Sequence, residues 1–218
     1  QMLHIKRTLN KGFTLAEVLI TLGIIGIVAA MTLPALTANY RKQVLVTRMQ
    51  KFYTVFNQAI KMSELANGEL DTWDMMGDES YNTPEGSVKF FNKYLKSYIK
   101  TLKTEYYYDS KAPLGGVKMY FSDGSAALYG SQHVLFYPVA SIDNGIDGKD
   151  TFYFALDTKK KMLLPYGQHN VLQIRDREDL MNNSTFGCAR SSNKNRRFCA
   201  ALIMYDGWKI SDDYPVKI

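Results

Sequence analysis

Histidine is scarce and scattered in this chain. His4, His133 and His169 are the three in 218 residues, and no two are close in sequence. No His-Glu-x-x-His metal motif, phosphate-binding glycine loop or Gly-x-Ser-x-Gly nucleophile elbow occurs. The usual sequence routes to a metallohydrolase, a nucleotide-driven motor or a serine hydrolase are therefore missing, although a dispersed site needs no motif. Cysteine is also sparse. Cys188 and Cys199 are separated by ten residues, and an even pair in an exported chain fits one small disulfide loop; two unpaired buried thiols are the alternative. Excess charge is small. Lys6, Arg7 and Lys11 supply three of the net +6 within the first twelve residues, so the remainder is an ordinary solvated surface and nucleic acid is an unlikely partner. Above all, no charge occurs from Val18 to Tyr40.

That uncharged run is long enough to span a bilayer, which takes about 20 apolar residues as a helix. Gly23, Gly26, Ala29 and Ala30 give it small positions at which another helix could approach. A removable secretory signal would have a core of about 7–15 apolar residues and a small-x-small cleavage site, and this run is longer. Before it stands one carboxylate, Glu17. An ionised acid in lipid costs on the order of 2.5–3.5 kcal/mol even on insertion scales, so a chain that keeps one there should supply a partner. Snorkelling to the headgroups is the plainer account of Glu17. Bases flank both sides of the run (Lys6, Arg7 and Lys11 before, Arg41, Lys42, Arg48 and Lys51 after), so charge counting gives no orientation. Gln1 precedes Met2, which reads as a trimmed start.

Lys11-Gly12-Phe13-Thr14-Leu15-Ala16-Glu17, followed by the apolar stretch Val18–Ile27, resembles the class III signal of type IV pilins and type II secretion pseudopilins. The resemblance implies that a prepilin peptidase cuts between Gly12 and Phe13 and methylates the new amine on Phe13. It implies that Glu17 pairs with the terminal amine of a neighbouring subunit, and that Pro34 is the proline that interrupts or kinks the helix. The implied partners are further copies of this chain, related pilin subunits, the prepilin peptidase, an inner-membrane assembly platform and the lipid bilayer. The implied location is the bacterial cytoplasmic membrane, single-pass with the head outside the cytoplasm, and then a pilus or pseudopilus. Physics supports the pairing independently: an axial shift between chains sets an ammonium at Phe13 beside a carboxylate at Glu17, each neutralising the other and fixing register.

Past the apolar run, Leu45, Met49, Phe52, Phe56, Ala59 and Ser63 recur in steps of four and three, widened by Val44, Tyr53 and Ile60. This predicts an amphipathic continuation of the helix, stopping at Asn67-Gly68. Thr83-Pro84-Glu85 predicts a second helix start, with an apolar stripe from Val88 to Leu102. Strands are predicted over Val117–Phe121, Ala126–Tyr129, Val134–Ile142, Thr151–Leu156 and Met162–Pro165; Pro138 would place its strand at an edge or bulge. Phe198–Tyr205 reads as a short helix or strand, and Trp208–Ile210 as a last strand.

Two polar segments carry possible chemistry. Asp143, Asp147 and Asp150, among glycines and Asn144, are candidate calcium ligands; a turn whose side chains cap their own backbone is the plainer account. Arg190, Lys194, Arg196 and Arg197 lie between the cysteines, where a solvated loop is a better reading than a nucleic-acid contact. The expected protein is α+β and pilin-like: a cleaved basic leader (1–12), a transmembrane assembly helix (13–38), its amphipathic continuation (39–68) and a globular head (69–218) on an antiparallel sheet. Its expected role is structural and not enzymatic. A membrane-anchored extracytoplasmic enzyme or binding protein is the alternative.

Overall fold

The computed structural model describes residues 12–74, 83–107, 115–141, 145–168, 176–192 and 194–218. The chain divides into two units, one up to Arg41 and one from Lys42 onward. Helix α1 (Leu15–Asn67) supplies the first unit and opens the second. Up to Tyr40 its Leu, Ile and Val side chains are exposed almost all round, as expected of a helix whose solvent is lipid. The hydroxyls of Thr21, Thr32 and Thr37 donate back to carbonyls of their own helix, so they need no water. The helix continues through Pro34.

In the second unit α1 buries Leu45, Val46, Met49, Phe52, Phe56, Ala59, Ile60 and Ser63. These are the stripe positions with Val46 added, while Val44 and Tyr53 are only half-buried. A three-residue turn of 3-10 helix (Leu70–Thr72) follows Gly68, whose φ of +83° lets the chain leave the helix. Helix α2 (Pro84–Phe90) is capped by Thr83, whose hydroxyl accepts from the Gly86 amide at 3.0 Å. It then widens into a π-helical turn (Phe91–Leu95). The predicted stripe overshoots there: Ile99 is buried, but Leu102 is 73% exposed.

Six strands follow: β1 (Lys103–Tyr107), β2 (Gly116–Tyr120), β3 (Ala126–Gly130), β4 (His133–Tyr137), β5 (Phe152–Asp157) and β6 (Met162–Pro165). They form one antiparallel sheet in the order β1-β2-β3-β4-β5-β6, each strand beside its sequence neighbour. Alternation sends Val117, Met119, Ala127, Tyr129, Val134, Phe136 and Phe154 to the face that joins the main core. Onto that face pack Phe52 of α1, stacked on Phe136 at 4.9 Å, and Phe90 of α2, stacked on Tyr129 at 5.4 Å. The helices thus cover one face of an antiparallel sheet, an α+β layer arrangement of pilin type.

Three expectations need correction. β1 was not among the predicted strands. Pro138 marks no edge or bulge: β4 is central, stops at Tyr137 just before the proline, and Arg48 donates to the Pro138 carbonyl at 2.8 Å. Trp208–Ile210 is not a strand. Helix α3 (Arg177–Asn182) and helix α4 (Cys199–Tyr205) occupy the C-terminal region, and after α4 both Gly207 and Trp208 take positive φ. The amides of Trp208 and Lys209 then both donate to the Ile203 carbonyl, which closes the helix end and leaves no strand ladder.

Candidate functional site

The amino-terminal junction is built by local hydrogen bonds. The Thr14 amide and hydroxyl both donate to Glu17 Oε2, at 2.8 and 2.9 Å, and the Glu17 amide donates to Thr14 Oγ1 at 3.2 Å. This is a reciprocal capping box, with Thr14 as N-cap and Glu17 three residues on. Glu17 is thus the first-turn acid of α1, where the helix dipole favours negative charge. The spacing Thr14-x-x-Glu17 was readable in the sequence as such a box and was missed there. Gly12 and Phe13 lie just ahead of the helix, and the Phe13 side chain is 89% exposed. A Cβ on Gly12 would meet nothing within 4 Å, nor would one on Gly23 or Gly26.

In the head, Cys188 and Cys199 form a disulfide, and both are buried. Its loop is tied down by the basic residues that looked solvated. Lys194 Nζ donates to the Gly145 carbonyl at 3.0 Å and Arg196 Nε to the Arg190 carbonyl at 2.7 Å. The Arg197 guanidinium lies over Phe186, Tyr153 and Tyr166, at 4.8, 5.5 and 5.6 Å from the ring centres. Gly148, with φ of +84°, lies close enough to Cys199 that a Cβ there would come within 2.5 Å of the sulfur. The loop and the 145–151 turn are therefore fitted to each other.

The candidate calcium ligands are divided. Asp143 lies outside the described residues. Asp147 is buried and accepts from the Tyr153 hydroxyl at 3.2 Å, while its Oδ2 has no hydrogen-bond partner among the described residues. Burial pushes its carboxyl above the usual range, partly offset by the backbone of Asn195 and Arg196 and by the Lys194 charge. Asp150 accepts the Ile146 amide at 2.9 Å, a turn-closing bond. Among the described residues no three His, Cys, Asp or Glu side chains are grouped to hold a metal. His133, the one described histidine, is half-buried, and desolvation holds its imidazole below the usual value.

An arginine clamp fastens the C-terminal segment. Arg177 bonds Asp206 through Nε and Nη2 at 2.6 and 2.8 Å, and Asp213 through Nη1 and Nη2 at 2.8 Å each. An apolar groove of about 270 Å³ opens elsewhere in the head, between α1, the entry to β1 and the β2–β3 turn. Its lining holds no histidine or cysteine and one carboxylate, Asp123, which accepts from Lys51.

Residues 35–218 match the model of a family of unknown function, DUF6613. The chain belongs to that family. Residues 7–33, spanning the capped junction and most of the uncharged run, match the prokaryotic N-terminal methylation motif. The amino terminus is therefore of the type IV pilin and pseudopilin kind, joined to a DUF6613 head. The chain is also similar to prepilin peptidase-dependent protein D of Escherichia coli (strain K12), 36% identical over 65 residues. That match spans 30% of this chain and 44% of the relative. No solved structure matches.

Proposed function

We propose that this chain is a structural subunit of a type IV pilus or a type II secretion pseudopilus. A prepilin peptidase cuts it between Gly12 and Phe13 and methylates the Phe13 amine. Residues 13–38 anchor it in the cytoplasmic membrane, with the head outside the cytoplasm. Copies of the chain, alone or with related pilins, then pass through an assembly platform into a helical filament. The observation that carries this reading is Glu17, held by a local cap at the mouth of an uncharged helix and inside the matched methylation motif. A carboxylate so placed has one oxygen engaged by Thr14 and can still receive a neighbour's ammonium through the other.

Intact-mass analysis of the native product tests the proposal. The expected product begins at Phe13 and carries one added methyl group. A product that keeps residues 1–12, with Phe13 unmodified, overturns it. A structural role is supported by the N-terminal methylation motif over residues 7–33 and by the likeness to a prepilin peptidase-dependent protein.

A further inference from the structure

We propose that the head carries a knob-and-groove pair for a second copy of itself, in which Met62 and Leu65 of one copy seat in the apolar groove of another. This rests on the filament reading above and names one contact within it.

The groove is walled by Phe52, Val55 and Phe56 of α1, by Ile99 and Leu102, and by Phe121. Its volume of about 270 Å³ leaves room for about nine waters at ~30 Å³ each. The wall facing that space is chiefly hydrocarbon, and Leu102 stands 73% exposed on it. A groove of this lining gains by exchanging water for an apolar occupant.

The same head supplies one. Leu65 is 90% exposed, the most of any large apolar side chain described from Lys42 onward, and Met62 is 55% exposed. Three residues apart on a helix, they sit side by side as one projection. A single exposed leucine is ordinary; a paired projection with a receptor of like chemistry on the same chain is not.

Charge sorts the pairing. Arg48, Lys51 and Lys100 rim the groove with one acid, Asp123, which pairs with Lys51, so bases outnumber acids there, and Lys100 has no ion pair among the described residues. The knob is flanked in sequence by Glu64, Glu69 and Asp71. Lys61 pairs with Glu64, and Lys161 is shared between Glu69 and Asp71, so acids outnumber bases there. Groove against groove and knob against knob bring like charges together, whereas groove against knob brings opposites.

Placement gives the contact its direction. Lys51, Val55, Gln58, Met62 and Leu65 follow one face of α1 in steps of four and three. Val55 and Leu65 are therefore about 15 Å apart along the helix. Groove and knob are different surfaces, so their union is heterologous, the interface type that propagates as an open filament when its rotation does not close.

The test uses the full chain in bacterial membranes that process it. Leu65→Cys and Leu102→Cys are placed on separate copies with different tags, co-expressed, and treated with a short bismaleimide. Both side chains are exposed, so the variants retain the fold, and the native cysteines are already bonded to each other. The expected result is a mixed-tag adduct several-fold above either variant alone, reduced several-fold when Lys100→Glu is added to the Leu102→Cys copy. Processed chain without a mixed adduct overturns the inference and leaves the filament reading standing. Adducts formed only between like variants overturn it too, as does a lipid co-purified in the groove without a mixed adduct. Unprocessed chain without an adduct overturns both.

Discussion

Asn57 closes the sheet by imitating a strand against Leu163. Its Oδ1 accepts the Leu163 amide at 2.7 Å, and its Nδ2 donates to the Leu163 carbonyl at 3.2 Å. The outer edge of β6 is thereby covered by a side chain of α1. An uncovered edge is a template for pairing with another chain. Asn57→Ala leaves both Leu163 groups without that partner and should cost about 1–3 kcal/mol. Urea unfolding of the purified chain measures the loss, and turbidity on storage should rise with it. An unchanged midpoint would show that water replaces the amide at no cost.

Gly12→Leu should stop processing without disturbing the fold, because a Cβ at Gly12 meets nothing within 4 Å among the described residues. The readout is the mass of the product, expected to retain residues 1–12. A product of mature size would show that the peptidase tolerates bulk at this position.

Glu17→Val should spare membrane insertion and remove assembly, scored by counting surface fibres or by secretion. Thr14→Ala separates the two uses of Glu17. It deletes the cap, worth about 1 kcal/mol, but keeps the carboxylate. If the intersubunit pair matters, Thr14→Ala assembles and Glu17→Val does not. Equal defects would reduce Glu17 to a helix cap.

Reducing the Cys188–Cys199 bridge, or replacing both cysteines by serine, should lower head stability by about 2–3 kcal/mol on loop-entropy grounds. Thermal unfolding with and without reductant checks this. The loop should also lose the seat of Arg197 over its three rings, visible as faster backbone exchange across 188–199.

Acid should loosen the C-terminal segment through Arg177. Its guanidinium holds the Asp213 carboxyl down to about 2 and lowers that of Asp206. A carboxyl lowered on folding contributes stability above its unfolded value near 4, and that contribution is lost as pH falls towards the folded value. Stability should therefore decline between about pH 4 and pH 2, and Arg177→Met should flatten that part of the profile. Parallel curves for the two proteins would show that the clamp does not govern acid sensitivity.

Much of this was legible in the residues, and the exceptions have physical causes. The α1 stripe was readable because one helix face meets one core, so Leu45 to Ser63 keep strict helical spacing. β2, β3, β5 and β6 were found within a residue or so at each end because their buried runs are bounded by turn residues. β1 was hidden because Lys103, Thr104 and Glu105 form an edge with little burial and no apolar alternation. Leu102 fitted a helical stripe but falls where the chain has already unwound to enter β1. Trp208–Ile210 was misread as a strand because the turn there depends on Trp208 taking a left-handed conformation, for which composition gives no signal. At the junction, Gly12, Phe13 and Glu17 were recognised by resemblance, while the cap by Thr14 needed only attention to its spacing.

The meander order of the sheet bears on how the head forms. Each strand pairs with its neighbour in sequence, so ladder growth closes local loops first. Domains dominated by such local contacts fold faster than those that must unite distant segments. A head of this design can zip from β1 to β6 as the chain emerges. The late meeting of Asn57 with Leu163 then bridges over a hundred residues and locks the finished sheet to the helix that preceded it.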